Sequence, residues 1–436
     1  MSRLLLQKML RFMARTVLMK YKPQVVGITG SIGKSSTKEA IALVLEPHFR
    51  IRKNEGNYNN EIGIPLTILG CKSGGRSFAA WLGIFRRWLG LILLPQEYPE
   101  ILILEMGIDR KGDMNYLLSF VPVSIGVATH VSGSHLAHFG TLANVAKEKR
   151  KLIKSLPVTG YAILNADNEW TRKMEEVTDA EVITYGFVGD ADIRVDNLLF
   201  HGDASRVEGF SFKLNYKGKS VPMRLPVLLA KHLIPSVLAA VGVGVALRLN
   251  LVEIARSLES FKSLPGRMHM FLGMRDSRII DDTYNASPAS MRAAIDTLSH
   301  IQAPRKGVVL GDMLELGEKS DEEHASLVND ISRANVSFAV LVGQHMQALQ
   351  QTLRENGFAD KQVMWFPDPL SASDYVTELV RAGDVVLVKG SQGLRMEFVV
   401  ERLLAQPELA PTLLCRQSEV WKRIPFTAPE EWLAGE

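Results

Sequence analysis

Lys34 and Ser35 are the residues of this chain best suited to chemistry, at the end of the stretch VVGITGSIGKS that opens the segment 25–45. An apolar run leads into glycines and a Lys-Ser pair, and a helical pattern follows, so the segment reads as strand, phosphate loop and helix. Gly30 and Gly33 would free backbone N–H groups to wrap an anionic oxygen, with Thr29, Ser31 and Ser36 beside them. The helix N-terminus adds partial positive charge there. Lys34 would bring a full charge to the β- and γ-phosphates of a nucleoside triphosphate, and the Ser35 hydroxyl a ligand for Mg²⁺. The spacing departs from the strict G-x-x-x-x-G-K-[ST] pattern, because Ile28 occupies the first glycine's place and Gly27 precedes it by one. The plainer alternative is a tight strand-to-helix turn without a ligand.

Three more residues are candidates for the same chemistry. Glu105 closes the apolar run ILILE, and a carboxylate at the end of such a strand is well placed to hold Mg²⁺ beside a triphosphate. His135 falls in a loop pattern and Lys149 on a helical one, fourteen positions later. Taken alone, His135 reads as a polar loop residue and Lys149 as one of the solvated run Lys147, Lys149, Arg150, Lys151 and Lys154.

The elements that must position these residues follow from periodicity. The runs 101–107, 123–131 and 160–167 look like buried parallel strands ending in polar residues, and helical patterns separate them. The expectation is an α/β fold with a doubly wound central ATPase domain over 23–265. It carries an apolar insertion at about 73–99 and a small β excursion at about 191–226. After LPGRM a new strand–helix series begins, RIIDDTYN, KGVVLGDM, FAVLVG and DVVLVKGS, which predicts a smaller, Rossmann-like α/β domain over 266–436.

With 436 residues, 46% of them hydrophobic, the chain can bury substantial cores. A net charge of +4 leaves no global nucleic-acid footprint. Cys71 and Cys415 lie far apart with no metal-ligand spacing, which fits two free thiols in a reducing cytoplasm. Neither a cleavable signal pattern nor an apolar run of about 20 residues is evident. Residues 1–22 predict a basic amphipathic helix, with Lys8, Arg11 and Arg15 on one face and Leu5, Met9, Phe12 and Met13 on another. The segment SFAAWLGIFRRWLGLILLP, 77–95, adds aromatics and a central Arg86-Arg87 pair. Both pieces suit a membrane interface, which would place the protein in the cytoplasm at the inner face of the membrane. Alternatively they pack together on the domain or form a dimer contact.

TGSIGKSSTKE, GNYNNEIGIPLTIL, EMGIDRKGDM, HLAHFGTLANVAKEK, ILNADN, GRM, IIDDTYNASPASM, VLGDMLELGE and VKGSQGLRMEFVV stand in this order between about residues 25 and 400. In these blocks the chain resembles the Mur ligase family, and within it the branch that joins D-alanyl-D-alanine to a muramyl peptide in peptidoglycan synthesis. The resemblance implies an ATP-dependent, ADP-forming amide ligase working through an acyl phosphate, with two Mg²⁺ ions. By it, Lys34 and Ser35 serve the triphosphate and the first magnesium, and Glu105 and His135 resemble ligands of the metal sites. Lys149 matches a lysine that CO₂ converts to an anionic carbamate able to bind magnesium, a reaction requiring a neutral amine. Asn60 resembles an asparagine near the phosphates. Arg267 and Asp282 would reach the nucleotide after a hinge near Gly266 closes, with Asp282 on the ribose hydroxyls. Asn285, Lys389, Ser391 and Arg395 would dock the carboxylate of the incoming amino acid or dipeptide. The plainer roles are a helix cap for Asp282, a surface ion pair for Arg267, and a helix start held for packing for Lys389, Ser391 and Arg395.

Departures from the family pattern accompany these matches. Members of this branch normally carry an N-terminal domain of roughly one hundred residues for the UDP part of the substrate, whereas here the phosphate loop begins near Gly27. Ala230 and Ser236 replace the glycine and asparagine of a block near the adenine, and Ala137 replaces a glutamate. The expectation is therefore a monomeric ligase lacking that domain, with D-alanyl-D-alanine and a muramyl-peptide carboxylate as substrates. The alternatives are a lipid-linked or poly-amino-acid acceptor, and a non-catalytic nucleotide-binding scaffold.

Overall fold

The computed structural model describes residues 3–422 and 424, apart from 57, 76, 133–138 and 203–206. The chain clusters into two compact units, one built from Met1–Leu199, Ser211–Leu225 and Leu233–Phe261, the other from Phe200–Phe210, Pro226–His232 and Lys262–Glu436.

In the first unit the elements run α1 (Arg3–Tyr21), β1 (Gln24–Thr29), α2 (Lys34–Leu45), β2 (Ile51–Lys53), α3 (Gly63–Leu69), α4 (Phe78–Leu93), β3 (Ile101–Glu105), α5 (Asp113–Leu118) and β4 (Ile125–Ala128). Then come α6 (Leu142–Lys154), β5 (Tyr161–Asn165), β6 (Glu181–Gly186), β7 (Ile193–Gly202), β8 (Val207–Tyr216), β9 (Lys219–Leu225) and α7 (Ile234–Ala246). The strands form one sheet in the order β2-β3-β1-β4-β5-β6-β7-β8-β9. The pairs from β2 to β7 are parallel, which is why β1, β3, β4 and β5 are apolar almost throughout: helices cover both faces. On one face α2 packs on α7. On the other, Leu10 and Met13 of α1, Leu66 of α3, Met114 of α5 and Leu152 of α6 share one core cluster.

The amphipathicity of α1 is not the one expected from sequence. Leu10, Met13, Ala14, Val17 and Leu18 are buried, while Leu5 and Phe12 are exposed alongside Lys8 and Arg15. The helix turns its i, i+3, i+4, i+7 stripe inward, and the larger residues contribute about 1.5–3 kcal/mol each by burial. α1 is thus part of the domain core, and α4 packs against it. Trp88 Nε1 donates to Thr16 Oγ1 at 2.8 Å, and Lys20 Nζ donates to the carbonyls of Leu91, Ile92 and Leu94, satisfying the carboxyl end of α4.

In the second unit β10 (His269–Leu272) pairs antiparallel with β11 (Arg278–Asp282), and α8 (Pro288–His300), β12 (Arg305–Gly311), β13 (Phe338–Val342), β14 (Val363–Phe366), β15 (Asp384–Lys389) and α9 (Glu397–Leu403) follow. The order β10-β11-β15-β12-β13-β14 inserts the last strand between β11 and β12, and all pairs beyond β10 are parallel. The carboxyl ends of β11, β15 and β12 therefore lie side by side, where open α/β sheets gather their functional loops.

Candidate active site

In the first unit, register places the residues. β1 pairs with β3 so that Ile28 faces Glu105, and with β4 so that Thr29 faces Ala128. The phosphate loop thus leaves the sheet between Glu105 and the loop after β4. Gly30 adopts φ 151°, and a Cβ there would stand 1.9 Å from Thr129 Oγ1, so only glycine fits. Thr129 Oγ1 donates to the Ile32 carbonyl at 2.7 Å, and Ser31 exchanges hydrogen bonds with Ser132, which tie the loop to the chain after β4. Gly33, at φ 86°, turns the backbone into α2.

Two lysines meet on one carbonyl: Lys34 Nζ donates to Gly30 O at 2.9 Å and Lys149 Nζ, reaching across from α6, donates to it at 2.8 Å. Lys149 is buried, while Lys147, Arg150 and Lys154 of the same basic run are exposed. Burial first, and the positive charge of Lys34 second, push the Lys149 ammonium well below its ordinary pKa, against the opposing pull of Asp109, Glu105 and Glu148. Glu105 is itself buried, with Asn59 Nδ2 3.2 Å from its Oε1 and Lys38 Nζ 3.8 Å from its Oε2. Lys38 is anchored by a 2.6 Å bond to the Asn54 carbonyl, and the Asn54 amide clamps the Glu105 backbone through both its N–H and its C=O. Lys34, Lys149 and Glu105 therefore converge. His135 and Ala137 fall outside the described residues.

The loop fits a phosphate chain and its magnesium. Thr29 Oγ1, Ser36 Oγ and Thr37 Oγ1 are buried with no hydrogen-bond partner among the described residues, each at a cost of about 1–3 kcal/mol unless a ligand satisfies it. Ser35 at the first turn of α2 and Glu105 opposite are hard oxygen donors of the kind Mg²⁺ takes, with phosphate and water completing its shell. No cluster of three or more His, Cys, Asp or Glu suited to a metal occurs among the described residues. Asn60 spends its side-chain oxygen at the start of α3, accepting from Ile62 N at 3.2 Å and Gly63 N at 3.0 Å; the neighbouring Asn59 is the one that touches Glu105. Ser236, standing for the family asparagine, places Oγ 3.5 Å from the Gly33 carbonyl.

The second unit makes its own cluster. β11 and β15 pair Asp282 directly with Lys389, and Lys389 Nζ bonds Asp282 Oδ2 at 2.6 Å and the Asn285 carbonyl at 2.8 Å. Asn285 Oδ1 accepts from Ala286 N, and Ser391 Oγ accepts from Leu314 N at 2.9 Å, joining the DDTYN, LGDML and VKGS blocks. Asp282 caps no helix: its Oδ1 accepts from Met268 N, and Ser287 caps α8. Arg267 stacks its guanidinium 4.2 Å from the centroid of the Tyr284 ring. Arg395 differs from the expected carboxylate-gripping cation. It is buried against Glu397 and donates to the carbonyls of Trp421 and Ile424, so its charge is already matched within the chain.

Sequence reasoning missed Lys38, Asp281 and His232 in these clusters. Lys38 sits on the buried stripe of α2, four residues after Lys34, so a charged residue in an inward position was the available signal. Asp281 Oδ2 accepts from Gly266 N at 3.1 Å and Oδ1 from Thr283, and burial raises it to about 6. His232 has Nδ1 buried without a hydrogen-bond partner among the described residues, and desolvation lowers its pKa despite Asp282 nearby.

A phosphate loop at the first strand–helix junction, facing a strand-end carboxylate and a buried lysine, defines a P-loop nucleotide-binding protein of the α/β class. The chain belongs to the Mur ligase family. The Mur ligase middle domain matches residues 90–244 and the Mur ligase glutamate ligase domain matches residues 266–392. A UDP-N-acetylmuramoyl-tripeptide–D-alanyl-D-alanine ligase of Mycobacterium tuberculosis is 30% identical over 400 residues, covering 87% of this chain and 73% of its own. The ligase of that name from Bacillus subtilis is 28% identical over 399 residues, covering 91% and 79%. Among solved structures, the MurF ligase of Thermotoga maritima in complex with ADP superposes with a TM-score of 0.74 at 25% identity, covering 92% of this chain and 84% of that one.

Proposed function

We propose that this protein is an ATP-dependent, ADP-forming ligase that joins D-alanyl-D-alanine to a muramyl-peptide carboxylate in the cytoplasm, as a step of peptidoglycan synthesis. The observation that carries the reading is the meeting of Lys34 and the desolvated Lys149 on Gly30 O, opposite Glu105. The acceptor carboxylate oxygen attacks the γ-phosphorus of ATP and ADP leaves. The amine then attacks the acyl carbon of the resulting acyl phosphate, and inorganic phosphate leaves through a tetrahedral intermediate. Lys34 holds the β- and γ-oxygens, and Ser35 and Glu105 would hold Mg²⁺, which neutralises phosphate charge when bound. A neutral Lys149 amine is competent to take up CO₂, so we assign it the carbamate that supplies an anionic ligand to a second magnesium. His135 is assigned beside that metal and Asn60 near the phosphates. In the second unit Arg267 and Asp282 are assigned to the nucleotide, and Asn285, Lys389 and Ser391 to the amine substrate.

A lipid-linked acceptor is the second reading, favoured by the exposed apolar and cationic faces of α1 and α4. Candidate acceptors paired with D-alanyl-D-alanine, glutamate and other amines, incubated with Mg-ATP and read by mass spectrometry, separate the two. The proposed function predicts a joined product only with a muramyl tripeptide and D-alanyl-D-alanine. Joining to a lipid-linked carboxylate alone selects the second reading, and no ADP with any pair removes both.

A further inference from the structure

We infer that α1 and α4 together form a docking surface for an anionic lipid bilayer, on which the protein lies without crossing. Once its core stripe is turned inward, α1 presents Leu4, Lys8, Phe12, Arg15 and Met19 outward, all within one narrow arc of the helix. α4 does the same with Phe78, Leu82, Phe85, Arg86 and Leu93. Phe78 is 83% exposed and Phe12 58%, and with Leu4, Met19, Leu82, Phe85 and Leu93 they make several large apolar side chains exposed on these two helices. The two faces are continuous through Trp88, whose ring lies 5.9 Å from Phe12 and 5.3 Å from Phe85.

Charge selects the occupant. Residues 1–38 and 62–96 contain no Asp or Glu in a chain with 47 of them, where an even spread would place about eight. Exposed Lys8, Arg15, Lys72, Arg86 and Arg87 remain, so the patch alternates large apolar groups with cations. That is the composition of a surface whose side chains enter the acyl–headgroup boundary while their charges meet lipid phosphates. A second copy fits worse, because a two-fold contact would set one cationic patch against another with no acidic residue of these segments to offset it. Spanning is excluded on length: α4 has 16 residues, shorter than the roughly 20 a hydrocarbon core requires, and carries Arg86 and Arg87 at its middle. No described helix is long and apolar enough to cross a membrane. Attachment of this kind is independent of which carboxylate the enzyme extends.

Flotation of the full chain with phosphatidylcholine vesicles, with and without phosphatidylglycerol, tests it. The wild-type protein is expected to float with the anionic vesicles and to be released as salt rises from about 0.05 to 0.5 M. Leu82→Glu combined with Phe85→Glu is expected to weaken binding at least about tenfold while the circular dichroism spectrum stays unchanged. Lys8→Glu with Arg15→Glu is the second variant, should the first lose its fold, and is expected to abolish the preference for anionic lipid. Absence of wild-type flotation, or equal flotation of wild type and variants, overturns the inference. A dimer in sedimentation that the same substitutions dissociate, without lipid binding, overturns it in favour of a second copy.

Discussion

Two lysines on one carbonyl is the residue-scale fact from which the chemistry follows. Lys34→Ala removes the only charge the phosphate loop itself supplies, and ADP formation in steady-state assays is expected to fall by about 10²–10³ or more. Lys149→Ala is expected to cripple turnover in a way that added short-chain carboxylates partly restore, because they occupy the carbamate's place. Absence of restoration contradicts carbamylation while leaving the Lys34 result untouched. Lys38→Met removes the cation that stands 3.8 Å from Glu105 Oε2. The expected outcome is a raised Mg²⁺ requirement for half-maximal rate, with Mg²⁺ titration as the measurement. The phosphate-loop pattern marks Lys34 and the end of an apolar strand marks Glu105, whereas Lys149 stands out from its basic run only through the resemblance to the Mur ligases. Lys38 was hidden because an isolated lysine on a helix is usually solvated, and only the packing of α2 shows it facing Glu105.

At the scale of elements, the parallel strands were legible because buried strands ending in polar residues leave a strong pattern in the sequence. The facing of α1 was not. Its apolar and cationic residues admit two rotations, and the choice is made by α3 and α5, which present the Leu66 and Met114 core to Leu10 and Met13. In the sequence Arg395 resembles a ligand group for a related reason: only tertiary structure reveals that Glu397 and the carbonyls of 421 and 424 meet it first. His324 lies on the short helix Ser320–Ala325. It is fully buried, accepts from Met313 N through Nε2 and bonds the Ser320 carbonyl through Nδ1, and desolvation lowers its pKa to about 4. The unfolded chain takes up a proton near pH 6.5 that the folded chain refuses, so the histidine costs stability as pH falls through that window toward 4. The loss reaches about 3 kcal/mol. His324→Gln is expected to flatten the dependence of melting temperature on pH in that range, and an unchanged slope contradicts the neutral buried form.

For the whole molecule, the family blocks extend through both units, and α1 and α4 lie outside those blocks. Under the proposed function the two units serve one chemistry, in which a carboxylate is activated by phosphoryl transfer and then captured by an amine. Incubation with Mg-ATP, D-alanyl-D-alanine and a muramyl tripeptide labelled with ¹⁸O in the reacting carboxylate follows the oxygen that this activation would transfer. A joined product is expected together with inorganic phosphate that carries one ¹⁸O atom from the acceptor. Phosphate free of the label, or ATP consumed without joining, would contradict it.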